Sequence, residues 1–243
     1  MILFVLIIIS ASFGSFGNNV ISYYISQEFD LKRSVCLCGK RQLTLIELIP
    51  VLSFIFLKGR CKTCELTIPW RYFIVEVSFI FVSIASYYLT GLSWELLVTC
   101  LTYYILIIIL FIDRAKLIIP NILLIILIPM LVFKQVTDFD LRSIITSFIV
   151  TGSLIIYNSI SFRKRGFEVI GWGDIKLLFL LLIIFEFPQS VVAIWFAAFT
   201  ALLTMGLKGI INSQLKIPFG AHISFSVIVI TLSDKIMVHY AFY

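Results

Sequence analysis

Long unbroken apolar stretches, not alternating ones, set the pattern of this 243-residue chain. Eight stand out, at about residues 2–24, 72–89, 92–112, 117–133, 141–159, 175–187, 190–207 and 221–238. Most approach the ~20 residues that carry a helix across ~30 Å of hydrocarbon. The stretch at 175–187 is shorter because Pro188 interrupts it. Lipid admits only helices and closed barrels as spanning structures, and a barrel strand alternates apolar and polar positions. The pattern therefore predicts an all-α, polytopic membrane protein of about eight transmembrane helices.

Composition agrees. The chain is 61% hydrophobic and 13% charged, whereas a soluble domain is nearer half apolar and a quarter charged. That excludes a soluble enzyme, a disordered tail and a nucleic-acid module. The net charge of +6 is explained by where the basic residues fall. With the N-terminus outside, the segment 26–71, the turn after Asp113, residues 162–173 and residues 208–220 all face inward. Those segments and their borders hold 16 of the 19 Lys and Arg, all except Lys134, Arg142 and Lys235. Cytoplasmic segments carry such an excess, so a multi-pass protein of the cytoplasmic membrane is expected. Residues 1–10 have no basic leading region, so no removed signal peptide is expected. The organisation reads as a first membrane helix (1–25), a cytoplasmic Cys-rich excursion (26–71) and a seven-helix membrane domain (72–243).

The excursion carries Cys36, Cys38, Cys61 and Cys64. On the cytoplasmic side thiols stay reduced, which argues against disulfides. Two close pairs resemble a four-thiolate zinc ribbon. Cys61 and Cys64 have the usual two-residue gap, and Cys36 and Cys38 are one residue tighter. The alternative is four reduced thiols without metal. Cys100, inside a span, reads as a packing residue.

Acids within or beside the spans carry more information, because an ionisable group there costs at least ~2.5–3.5 kcal/mol. Glu76 lies one turn inside the second span, Asp113 ends the third, and Asp174 opens the sixth within Gly171-Trp172-Gly173-Asp174. The topology places both aspartates at the cytoplasmic ends of their helices, at one depth. Two carboxylates sharing a site do not both ionise easily: one keeps a proton while the other takes one from water. That pair suits hydrolysis of a peptide bond, with Gly171 and Gly173 letting the backbone approach the substrate closely. Taken singly, each aspartate could instead cap a helix or pair with Arg114 or Lys176. A different class of reading makes the aspartates ion or proton sites of a small transporter, although transporter sites tend to lie near the midplane between repeats. A zinc-ribbon adaptor without catalysis is a third. Trp70, Tyr72, Trp94, Tyr103 and Tyr104 read as interfacial aromatics, His222 and His239 as structural, and Ser10, Ser12, Ser15, Asn18 and Asn19 as helix-packing polar residues.

In combination the motifs resemble the type IV prepilin peptidases, membrane aspartic proteases with Gly-x-Gly-Asp. The resemblance runs over nearly the whole chain. It rests on Gly14-Ser15-Phe16-Gly17-Asn18, Arg33-Ser34, Ile49-Pro50-Val51-Leu52-Ser53 and Lys58-Gly59-Arg60-Cys61-Lys62-Thr63-Cys64. Arg71-Tyr72 running to Glu76, Asp113 followed by Ile119-Pro120-Asn121, the 171–177 segment and Pro218-Phe219-Gly220 complete it. The chain departs from the family pattern at Cys36-Leu37-Cys38, at Glu47-Leu48-Ile49-Pro50, at Phe73, and at Asn121, where an aspartate is usual. That last change leaves Asp113 as the acid of its motif.

The resemblance implies catalysis by Asp113 and Asp174, supported by Gly171, Gly173 and Glu76, at the cytoplasmic membrane face. The implied substrate is a type IV prepilin, or a pilin-like competence or secretion protein, with a basic leader and an apolar helix. It also implies N-methylation of the new N-terminus by S-adenosylmethionine, with Gly59 and Arg60 as methyl-transfer candidates. The sequence has no Gly-rich nucleotide fingerprint of its own. The basic excursion suits anionic membrane lipid better than a basic leader.

Overall fold

The computed structural model describes residues 1–26, 42–44, 46–166, 168–207 and 217–241. The first cysteine pair, Cys36 and Cys38, lies outside them. Among the described residues α-helices dominate and no strand is formed, and an isolated antiparallel bridge joins Arg60 and Thr67. The helices are α1 (Ile2–Ser26), α2 (Leu52–Phe56), α3 (Trp70–Thr90), α4 (Trp94–Lys116) and α5 (Asn121–Thr137). They continue as α6 (Leu141–Arg165), α7 (Trp172–Ile184), α8 (Gln189–Leu207) and α9 (Phe219–Ala241). All eight apolar stretches lie on helices. Among the described residues six helices are long and apolar enough to cross a membrane: α1, α3, α4, α6, α8 and α9. The other two, α5 and α7, are shorter than a full span, with 17 and 13 residues.

Helix ends follow local chemistry. Pro69 and Pro120 stand at the N-caps of α3 and α5, where a missing N–H costs nothing. Asp140 caps α6, accepting the Arg142 N–H at 3.0 Å. A hydrogen bond from Ser143 Oγ holds the Asp140 carboxyl below its ordinary range. Gly166 closes α6 in the left-handed region at φ 76°.

Two compact units emerge, residues 1–108 and 109–243, with the boundary inside α4. In the first, α1 lays a stripe of Ser10, Ala11, Gly14, Gly17 and Asn18 inward, the small-residue face that lets membrane helices approach. A Cβ on Gly14 would stand 2.8 Å from Glu76 Cα, so backbone meets backbone there. Asn18 Nδ2 donates to the Tyr72 carbonyl at 2.9 Å, and Arg71 Nη2 donates to Ser22 Oγ at 2.7 Å. Tyr103 and Tyr104 differ from the sequence expectation of interfacial aromatics: both are buried. Tyr104 stacks on Phe79 with centroids 4.2 Å apart and shares a hydrogen bond with Ser83. Cys100 is buried in the same unit, as a packing residue should be.

In the second unit α7 packs against α5, α6, α8 and α9, and its buried residues occupy every side of the helix. A helix that is apolar all round belongs in such a position. Ser147 of α6 donates to the Phe179 carbonyl at 2.9 Å. Ala193, Ala197 and Ala201 on α8 are buried at four-residue spacing, the small stripe that suits close packing against α9.

Candidate active site

Asp113 lies in the last turn of α4 rather than at its end, because the Leu117 N–H still bonds the Asp113 carbonyl. Its side chain is 3% exposed. Asp174 lies in the first turn of α7, which begins three residues earlier than the apolar stretch suggests. The Gly171 carbonyl collects the N–H groups of Asp174 and Ile175 and so starts the helix. At its far end α7 stops at Ile184, with Phe185 extended.

Three chain segments bring the aspartates together. Asp113 Oδ2 accepts the Ala221 N–H at 2.8 Å. Ala221 belongs to the first turn of α9, whose N–H groups have no partner within their own helix. The preceding residue, Gly220, sits where both carboxylates converge. A Cβ built on it would lie 3.0 Å from Asp174 Oδ1 and 3.1 Å from Asp113 Oδ2. Those two oxygens are thus at most about 6 Å apart, the sum of the two distances.

The glycines of the motif act at close contacts. A Cβ on Gly171 would come within 3.2 Å of Asp174 Oδ2, and one on Gly173 within 3.1 Å of Ile119 Cβ. Ile119 also backs Gly220, so one side chain closes the floor beneath both segments. The basic neighbours stand aside: Arg114 is exposed, and Lys176 Nζ donates to Asn121 Oδ1 at 3.2 Å. The ion-pair alternative for the aspartates is not what the structure contains among the described residues.

Asn158 is a site residue that the sequence did not single out. It is 2% exposed and gathers the strand of chain entering α7. Its Oδ1 accepts the Val169 and Ile170 N–H groups at 2.9 and 3.2 Å, and its Nδ2 donates to the Ile170 carbonyl at 3.1 Å. The loop delivering Gly171 and Asp174 is thereby tied to α6. An asparagine within an apolar helix was the available signal.

The remaining candidates lie in the first unit. Glu76 is 8% exposed and accepts the Val51 N–H at 2.7 Å through Oε2. Gly59 has φ 67°, its N–H bonds the Phe54 carbonyl, and its carbonyl accepts the Ile68 N–H. Arg60 is exposed. Cys61 is buried and Cys64 half-buried, on a turn in which the Cys61 N–H bonds the Leu66 carbonyl. No group of three or more metal-ligating side chains occurs among the described residues.

An all-helical membrane protein that brings two carboxylates to one point has the layout of a membrane aspartic peptidase. Comparison with known proteins agrees. Residues 8–90 match the bacterial peptidase A24 N-terminal domain, and residues 100–206 match the type IV leader peptidase family. A prepilin leader peptidase/N-methyltransferase of Vibrio cholerae is 33% identical over 184 residues, covering 70% of this chain and 72% of that protein. Proteins of the same description from Aeromonas hydrophila and Bacillus subtilis are 31% and 38% identical. They align over 60% and 41% of this chain, and over 51% and 40% of their own lengths. The chain belongs to the type IV leader peptidase family. No solved structure matches it.

Proposed function

We propose that the protein cleaves the basic leader from prepilin-like substrates at the cytoplasmic face of the cell membrane, and then methylates the new N-terminus. The observation that carries the peptidase reading is the convergence of Asp113 Oδ2 and Asp174 Oδ1 on the space over Gly220. In this reading Asp113, held by the Ala221 amide, is the base, since an N–H donor favours the ionised carboxylate. Asp174 carries the proton. Water bonds the scissile carbonyl carbon as Asp113 takes its proton, and Asp174 protonates the carbonyl oxygen. The gem-diol then collapses and the C–N bond breaks. Asp113 passes its proton to the leaving nitrogen, and Asp174 recovers one as the new carboxyl group forms.

Methyl transfer would take place on the excursion. S-adenosylmethionine, when bound, supplies an electrophilic methyl group to the freed amine. The exposed Arg60 guanidinium fits the donor's carboxylate, whereas both peptide groups of Gly59 are engaged in the turn, so Gly59 shapes the turn that presents Arg60. The Cys61–Cys64 turn offers two thiols at the spacing of half a tetrahedral zinc site, with Cys36 and Cys38 as its other half.

The test uses purified enzyme in lipid, a prepilin with a basic leader, and a synthetic precut pilin. Asp113→Asn and Asp174→Asn should each abolish cleavage, because an amide cannot exchange the proton the mechanism needs. Both should still methylate the precut pilin, read by mass spectrometry of its N-terminus. Full cleavage by either variant would end the aspartic assignment, and no methylation by the wild type with donor present would leave a peptidase alone.

A further inference from the structure

Between α1 and α3 the chain makes an apolar arm that reaches none of the long helices' length. It consists of a 3₁₀ turn at Ile46–Leu48 followed by α2. Leu48, Ile49, Leu52, Ile55 and Phe56 are all exposed on it, Phe56 at 77%. Contiguous large apolar side chains of this kind on a protein surface mark an interaction site.

The arm is fastened to α3 at a definite depth. The Val51 N–H donates to Glu76 Oε2 at 2.7 Å, and Phe54 lies 5.0 Å from Phe73 and 5.2 Å from Trp70, centroid to centroid. Trp70 begins α3, and Glu76 is six residues further along. At 1.5 Å per residue Glu76 lies about 9 Å deeper in the membrane than Trp70. The bend at Val51 therefore sits below the level of the interface, and α2 climbs from there towards Trp70.

From Leu52 onward much of the arm's backbone is bonded within the arm. The N–H groups of Leu52, Ser53, Ile55 and Leu57 bond Pro50, Ile49, Val51 and Ser53 carbonyls, and those of Lys58, Gly59 and Arg60 bond Ile55, Phe54 and Leu57 carbonyls. Val51, at φ 63°, would have an N–H directed away from any such partner, and the carboxylate of Glu76 meets it. Internal bonding of this kind suits a segment lying at the edge of the hydrocarbon. Immediately beyond the arm, Lys58, Arg60 and Lys62 are exposed, as suits an anionic headgroup layer.

We infer that residues 46–57 form a re-entrant arm embedded in the cytoplasmic leaflet, pinned by Glu76, with lipid acyl chains covering Leu52, Ile55 and Phe56. The occupant is lipid rather than a protein partner because the pin at Glu76 and the Phe54–Trp70 contact hold the arm along the first turns of a membrane span. The role this gives Glu76 is to hold the arm down. The inference rests on α3 being a membrane span, and the experiment tests the two separately.

A nitroxide would be attached through p-acetylphenylalanine at position 56, 62 or 81, in the full chain in nanodiscs of anionic phospholipid. Phe81, 63% exposed in mid-α3, reports the span, and Lys62 reports water. Position 56 should collide more with oxygen and less with a water-soluble nickel chelate than 62 does, while 81 is shielded from nickel altogether. Glu76→Leu should raise nickel collisions at 56 and leave 81 unchanged. Nickel access at 56 equal to that at 62, with 81 still shielded, would overturn the arm alone. Nickel access at 81 would overturn the span reading and the arm with it.

Discussion

Gly220→Ala tests the geometry of the site with the smallest possible change. The added methyl would stand 2.5 Å from Ile119 Cδ1, 3.0 Å from Asp174 Oδ1 and 3.1 Å from Asp113 Oδ2. The first contact is with the end of a flexible side chain and relaxes by a change of rotamer. The other two push both carboxylates outward by a few tenths of an ångström and put an apolar group where water must sit. Overpacking of this kind costs about 1–3 kcal/mol. Alanine recovers at most about 1 kcal/mol over glycine within a helix, so the net loss of stability should stay within about 3 kcal/mol. Catalysis is the more sensitive quantity: a misplacement of about 1 Å costs as much as ~10²-fold, and here a smaller shift is joined by a methyl group in the space that water must occupy. The expected outcome is a protein that purifies folded yet cleaves prepilin about 10²-fold more slowly in single turnover. A Gly220→Ala enzyme with the parental cleavage rate would refute the claim that catalysis occurs over this residue.

Asn158→Ala should remove three hydrogen bonds from the entry to α7, at a cost of about 1–3 kcal/mol, and slow cleavage. Asn158→Asp keeps the acceptor for Val169 and Ile170 and should lose less on both counts, read by thermal melts and single-turnover cleavage. If the four thiols hold zinc, native protein purified without chelator should contain about one zinc per chain, and changing Cys61 and Cys64 together to Ser should release it. Metal analysis showing no zinc in the native protein would retire the ribbon.

Much of the fold was legible because membrane helices announce themselves by apolar length, and each of the eight stretches is a helix. Their boundaries were less legible. Counting apolar residues begins the sixth stretch at Ile175, whereas α7 begins at Trp172. What starts it is the Gly171 carbonyl, a main-chain group that every residue possesses. Tyr103 and Tyr104 depart from the interfacial reading because both stand midway along α4, away from either end, and Phe79 and Ser83 of the neighbouring helix show that Tyr104 faces protein. Side-chain identity records solubility well and facing poorly.

The site divides along the same line. Asp113 and Asp174 stood out because a carboxylate within or beside a membrane helix is costly and so rarely incidental. Their partner did not, because the group that engages Asp113 is the Ala221 N–H, 108 positions away. A backbone amide leaves no signature, and alanine is unremarkable in an apolar stretch. Pro218-Phe219-Gly220 was visible as a motif without a role. The structure supplies it: the glycine brings the start of α9 against both carboxylates with no Cβ between them. A pair of acids 61 positions apart is thus completed by a third segment that contributes main chain rather than side chain. The requirement falls on what residue 220 lacks, which is why substituting it tests the site as directly as substituting either acid.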